Sequence, residues 1–402
     1  MKVLMVSAKF PPPDTTGAVA GLLGDVADEL EKRGNQVAAL VLKGQEPRLR
    51  EKTGRTVHEV ERGPSCLTAI RLAISMARIR GGFDLIHLHD ILPFGVISLW
   101  FLSILDMPRL ITMHSMGYVC RNSFLWPPAS LTREDLVTRK SSICYLETEP
   151  DCRSCFRSGI LGWGMYVAFR LRRGLAVRAL RRFTVIAPSG RTKEVLMKSL
   201  GLESRVLWNS AIDRGGVDGS KPSPDLFRPV VAGRAVPEKG LHTALMALSQ
   251  MKCPRVLLSA TVKGRSRYLK ALREAGERLG VDVNWVAWQP KDDYLRYISG
   301  CSVCVIPTRG FEVFGMTALD AQMIGLPLIV AHAGALPEVS PEGLNSLTFE
   351  RENVEELAAC MDRLAGSPKL AAKMGRMSRK IFERRYTLER HVDRLVDIYA
   401  QI

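Results

Sequence analysis

No apolar run in this chain reaches the roughly 20 residues that a membrane-spanning helix needs; the longest, Leu92 to Leu105, opens on Pro93 and Gly95 and reads as a packed core helix. No signal peptide is expected at the start either. The apolar start MKVLMVSAKF has strand length, is stopped by Pro11, Pro12 and Pro13, and has no cleavage region, so the chain is expected in the cytoplasm. No period of about 20 to 50 residues recurs and no low-complexity tract appears, so repeat architectures are excluded. The pattern G-x-G-x-x-G is absent after the first strand, which disfavours a nicotinamide cofactor. No aromatic residues interleave the arginines as stacking platforms, which argues against nucleic acid. Carboxylates are the deficient charge: 41 Asp and Glu stand against 57 Lys and Arg, leaving +16 and pointing to an anionic partner.

What is present suits a globular protein of two domains, since 402 residues at 46% hydrophobic can bury two ordinary cores. Residues 3–7, 36–42, 85–89, 110–114 and 184–187 read as strands, and 17–33, 66–80 and 95–105 as helices between them. This alternation predicts a parallel sheet covered on both faces. A stretch with little pattern, 209–227, is read as a linker. The alternation then restarts, with strands at 229–233, 256–260, 282–288, 302–307 and 327–331. The expected domains are 1–208, with an insertion at about 115–160, and 228–385 beyond the linker. A last helix over 386–402 is expected to cross back to the first domain. In open parallel sheets ligands bind beyond the carboxyl ends of the strands, so two such domains are expected to face each other across a cleft.

The motifs lie where that architecture needs them. After the first strand, Asp14, Thr15, Thr16 and Gly17 lead into a helix with Gly21 and Gly24, which permits close backbone approach to a phosphate or a sugar. In VAGRAVPEKG, Arg234 ends a strand and Lys239 follows five residues later, so two fixed cations are available for a diphosphate. In VIPTRGFEVFGMTALDAQMIGLP, a buried-strand run leads to a turn bearing Glu312 and then to a helix carrying Asp320. The free amides of such a helix start form an anion site, and flanking acids can hold sugar hydroxyls. His87 and His89, either side of Leu88, are assigned to opposite strand faces with hydrogen-bonded core roles.

Between Arg157 and Arg205, eleven Lys or Arg stand against only Glu194 and Glu203, a local excess of +9. A helix over 161–183 gathers Arg170, Arg173, Arg178, Arg181 and Arg182 on one arc, opposite Leu161, Met165, Phe169, Leu175, Ala179 and Phe183, with Arg172 off the pattern. Its two readings are a solvated basic face and attachment to an anionic membrane surface. Four of the nine cysteines, Cys120, Cys144, Cys152 and Cys155, crowd into 36 positions, while Cys301 and Cys304 read as core residues of a strand. An odd number in a chain expected to be cytoplasmic makes a disulfide framework improbable, and the cluster suits a structural zinc, with an iron-sulfur cluster as the second choice. Tyr118, Trp126, Trp163 and Tyr166 surround the same insertion and suit stacking on an acceptor sugar, a place at a lipid headgroup boundary or packing of the loop.

Taken together, MKVLMVSAKFPPPDTTG, FDLIHLHD, LITMHS, GRAVPEKG and PTRGFEVFGMTALDAQMIGLP resemble the retaining glycosyltransferases of family 4, of GT-B architecture, over about residues 1 to 385. The resemblance implies an α/β protein of two Rossmann-like doubly wound domains that moves a sugar from a nucleotide diphosphate sugar to an acceptor hydroxyl without a catalytic cofactor. It implies that Arg234 and Lys239 hold the diphosphate and Glu312 the hydroxyls of the transferred sugar. Asp320 would reach the ribose, the amides of Phe314, Gly315, Met316 and Thr317 would meet the phosphates, and Gly17 would line the donor site. His114 matches the family's active-site histidine, although Ser115 departs from the usual His-Asp or His-Gly. Asp320 departs too, standing one methylene short of the second acid of the family's Glu, seven residues, Glu spacing. The acceptor is expected to be a sugar or a lipid-linked sugar of cell-surface polysaccharide or glycoconjugate synthesis, with the protein peripheral on the inner face of the plasma membrane. The competing readings are a sugar-nucleotide epimerase of the same fold and a non-catalytic sugar-nucleotide-binding protein.

Overall fold

The computed structural model describes residues 1–8, 18–43, 54–89, 92–118, 120, 155–156, 158–215, 226–252, 258–263 and 267–402. They form two compact units, one holding the described residues up to Ile212 together with Leu388–Ile402, the other those of Asp213–Thr387.

The first unit is built on seven strands, β1 Lys2–Val6, β2 Gln36–Leu42, β3 Val57–Val60, β4 Leu85–Leu88, β5 Arg109–Thr112, β6 Thr184–Ala187 and β7 Arg205–Val206. They pair in parallel in the order β3-β2-β1-β4-β5-β6-β7. The inner strands are nearly unbroken apolar runs because both of their faces are buried: Val3 to Val6 have no exposed surface. The helices are α1 Ala18–Lys32, α2 Ser65–Ile79, α3 Val96–Ser103, α4 Ile160–Leu180 and α5 Gly190–Leu200. Helix α5 has local causes at both ends. The hydroxyl of Ser189 accepts from the Thr192 amide at 3.0 Å, and Gly201, at φ 58°, supplies the left-handed residue that ends it.

The second unit repeats the plan with β8 Pro229–Arg234, β9 Leu258–Lys263, β10 Val283–Ala287, β11 Val303–Ile306, β12 Leu328–Ala331 and β13 Ser346–Phe349, parallel in the order β10-β9-β8-β11-β12-β13. Its helices are α6 Leu241–Ser249, α7 Arg267–Arg278, α8 Lys291–Ser299, α9 Met316–Met323, α10 Leu336–Val339, α11 Val354–Ala365 and α12 Pro368–Arg385. In each sheet the strand order reverses once, between β1 and β4 and between β8 and β11. Those reversals open crevices at the carboxyl ends of the strands, where doubly wound sheets bind ligands.

The last helix, α13 Leu388–Tyr399, belongs to the first unit. Its buried Leu388, Val392, Leu395 and Tyr399, at helical spacing, join Leu22, Leu23, Val26 and Leu30 of α1 in one core. Fully burying each such leucine or valine contributes about 1.5–3 kcal/mol, which is what ties the chain's end into this unit.

One expectation needs correction. His87 and His89 do not point to opposite faces: residues two apart on a strand share a face, and their rings lie 4.0 Å apart. The apolar side of the basic helix is not buried along its length. Ala176, Ala179 and Leu180 of α4 are buried, but Leu161 is 86% exposed, and Met165, Leu171 and Leu175 are exposed as well. Helical spacing shows which side chains share a face but not whether a neighbour covers it.

Candidate functional site

The second unit's candidate site is built by glycines that let three loops meet. Gly240, at φ 69°, ends the short turn Pro237–Lys239 and lies so close to the loop after β11 that a Cβ there would sit 1.8 Å from the Pro307 carbonyl oxygen. Gly334, at φ 58°, presses on Glu312 in the same way, with its ideal Cβ position 2.2 Å from the Glu312 carbonyl oxygen. No other residue type fits either place. The amides of Arg309 and Ala335 then donate to the carbonyls of Glu238 and Glu312 at 2.9 and 2.8 Å, locking the loops together.

This packing brings Lys239 onto the Glu312 carboxylate as a half-buried ion pair. The Thr308 hydroxyl stands 3.1 Å from the Glu238 carbonyl oxygen and 3.2 Å from Glu312 Oε1. Arg234, its side chain 55% exposed, reaches to 3.8 Å from Glu238. Lysine at this place calls for an anion nearby, and Glu312 supplies one within the chain. The group lies beyond the carboxyl ends of β8 and β11, at the reversal of the sheet.

Helix α9 starts at Gly315, at φ 99°, where a Cβ would sit 2.7 Å from a methyl of Leu336, and no side chain caps it. Phe314 is buried edge-on against Tyr386 at 5.6 Å, while Met316 and Thr317 are partly exposed at the helix start. An uncapped start bearing the positive end of a helix dipole suits a phosphate. Asp320, 6% exposed on the next turn, is paired with Lys291 of α8. The sequence reading missed Lys291. The only signal for it was a lysine opening the helix KDDYLRYIS, which is an ordinary surface position by pattern.

In the first unit His114 follows β5 and His89 follows β4. His89 Nδ1 and His114 Nε2 are 3.1 Å apart in hydrogen-bond contact, and the rings stack at 5.3 Å. Behind them His87 is fully engaged, its Nδ1 2.8 Å from the Tyr399 hydroxyl and its Nε2 2.8 Å from the Thr112 hydroxyl. Burial holds all three imidazoles neutral: it pushes His87 and His114 down to about 3 and His89 well below its ordinary value, with neighbouring imidazoles adding to the effect. His87 is a core histidine, as expected, whereas His89 belongs with His114.

Gly17, Cys144 and Cys152 lie outside the described residues. Cys120 and Cys155 are buried, and among the described residues no three His, Cys, Asp or Glu side chains gather as for a metal. Cys301 and Cys304 are buried core residues, and burial raises the Cys304 thiol far above its ordinary value. Among the described residues no helix is long and apolar enough to cross a membrane.

Two family models cover most of the chain. Residues 19–213 match "Glycosyltransferase Family 4" and residues 223–381 match "Glycosyl transferases group 1". The two parts of the chain are thus each similar to a glycosyltransferase domain. The D-inositol 3-phosphate glycosyltransferase of Saccharomonospora viridis is 26% identical over 211 residues, 46% of this chain and 48% of that protein, so the match spans about half the relative's length. By fold the whole chain superposes on sucrose-phosphate synthase from Thermosynechococcus elongatus with TM-score 0.75 at 18% identity, covering 98% of that chain. It also superposes on Anabaena HepE in complex with UDP with TM-score 0.73 at 17% identity, each chain covered in full. The fold is GT-B, two units each with a parallel α/β sheet.

Proposed function

We propose that this protein is a retaining glycosyltransferase that moves a sugar from a nucleoside diphosphate sugar to an acceptor hydroxyl in cell-surface polysaccharide or glycoconjugate synthesis. The observation that carries the reading is the joining of Lys239, Thr308 and Glu312, with Arg234 nearby, at the sheet reversal of a glycosyltransferase domain. In the reaction the acceptor oxygen forms a bond to the anomeric carbon as the bond to the diphosphate breaks. The leaving phosphate takes the acceptor's proton on the same face. Negative charge grows on that phosphate, so fixed cations and helix amides there stabilise the transition state more than the ground state. Arg234, Lys239 and the amides of Phe314 to Thr317 take that role. Glu312 and His114 serve the transferred sugar, Asp320 the ribose and Gly17 the donor side of the first unit. Neither the epimerase nor the non-catalytic reading is favoured by relatives named as glycosyltransferases.

The test is a thermal-shift screen of the purified protein against uridine, guanosine and adenosine diphosphosugars, followed by transfer with the donor that binds. Specific binding raises stability by mass action, and the product anomer reports retention. No stabilisation by any nucleotide sugar would remove the reading.

Two finer parts of the proposal have their own measurements. A structural zinc held by Cys120, Cys144, Cys152 and Cys155 would appear as one metal per chain on elemental analysis. An anionic membrane surface is the proposed partner of α4, which packs beside α3 as α3 does beside α2. These helices expose Ile70, Ile74, Trp100, Leu161, Trp163 and Leu171. They contain Arg71, Arg78, Arg170, Arg172, Arg173 and Arg178 and no carboxylate at all. Apolar side chains among cations suit the interface of an anionic bilayer, where each cation near the surface adds about 1 kcal/mol. Vesicles containing phosphatidylserine are expected to sediment the protein at low salt, and Trp100→Ser with Arg170→Glu to weaken this at least tenfold. Equal sedimentation with neutral vesicles would contradict it.

A further inference from the structure

The proposed transfer gives His114 a role but leaves its neighbour unexplained. We infer that His89 and His114 act as one dyad, in which His89 is a positioning residue that occupies Nε2 of His114 and leaves Nδ1 of His114 as the nitrogen that meets a hydroxyl of the bound sugar.

Three observations carry this. The contact between His89 Nδ1 and His114 Nε2 joins two nitrogens, so one must donate and the other accept. The two remaining nitrogens, Nε2 of His89 and Nδ1 of His114, are shielded from solvent and have no hydrogen-bond partner among the described residues. His89 is itself 5% exposed. Unsatisfied buried polar atoms are rare and call for a partner that arrives later. Finally, the dyad sits just beyond the carboxyl ends of β4 and β5, on the ligand side of a doubly wound sheet.

The proton count fixes what kind of ligand fits. Two neutral imidazoles carry two N–H groups between them, and one is spent on the contact. If His89 donates, His114 keeps its proton on Nδ1 and His89 Nε2 is bare. If His114 donates, its Nδ1 is bare and His89 Nε2 carries the proton. The two outer nitrogens therefore always have opposite roles, and a change at one end is matched at the other. A sugar hydroxyl, which both donates and accepts, satisfies His114 in either state, whereas an ionised carboxylate or phosphate only accepts and fits only one. His87 supports this arrangement: pinned between the Tyr399 and Thr112 hydroxyls, its ring lies 4.0 Å from that of His89, tilted by 40°, and fixes the dyad's inner wall.

The ligand's identity rests on the proposed transfer; the dyad does not. The test therefore reads both, by proton-nitrogen correlation of imidazole-labelled full-length protein and by donor turnover. In the parent the His114 nitrogens are expected to report a neutral ring with Nε2 hydrogen-bonded, and a bound donor to shift Nδ1. In His89→Phe the Nε2 signal should move to that of an unbonded ring, with turnover falling about 10²-fold and donor KM changing less than about threefold, because the loss is one of orientation. His89→Gln, which can still bond Nε2, should restore much of the turnover and guards against a misfolded Phe variant. If His114 signals are the same in parent and His89→Phe, the dyad is wrong even if His114→Ala is inactive. If the dyad signals appear as expected but His114→Ala turns over normally, the transfer role of His114 is wrong and the dyad stands.

Discussion

Asp320 is the residue that differs most from what its resemblance implies. A carboxylate meant for a ribose is already paired with Lys291 and is almost wholly buried. If it does serve the donor, the longer Asp320→Glu should retain or improve donor affinity, since it can reach outward while keeping the lysine. Equal donor affinity in Asp320→Glu and Asp320→Ala, measured by titration, would remove the ribose role. Lys291→Met strands the buried carboxylate. Because the lysine is partly exposed, the expected cost is about 1–3 kcal/mol, seen as a lower thermal midpoint.

At the scale of elements, the site depends on glycines more than on its charged side chains. Gly240→Ala would push a methyl into the Pro307 carbonyl at a left-handed backbone position, so the loops bearing Lys239 and Glu312 must separate. The expected result is loss of donor stabilisation together with a drop of several degrees in thermal midpoint. An unchanged donor response would contradict the account of how the loops are held. The central strands and the cation and acid motifs were legible because buried parallel strands are continuous apolar runs. Strands β3, β7 and β13 were not anticipated: all three lie at sheet edges, where the apolar run is less continuous than in the central strands. Partners were harder to read than positions. Neither the Lys239 to Glu312 pair nor the His89 to His114 contact joins neighbours in sequence, and both arise from the order of the strands.

Across the whole molecule, buried neutral histidines set an acid limit. His87 in the first unit and His242 in the second are both held down to about 3 by burial. In the unfolded chain each would titrate near about 6.5. The unfolded state thus binds more protons between those values, and stability is full above about pH 6.5 and falls as pH drops toward 3. Each such histidine costs up to about 1.4 kcal/mol per pH unit in that window. Denaturant midpoints are expected to decline steadily from pH 6.5 to pH 4.5, less so in His242→Asn, and a flat profile would contradict the buried, neutral assignment.

The central claim is that Lys239 holds a diphosphate as it leaves a sugar. The most direct measurement is steady-state transfer by Lys239→Ala with the donor found by thermal shift. Loss of about 10²-fold or more in kcat, with acceptor KM little changed, is the predicted result; turnover equal to that of the parent would contradict it.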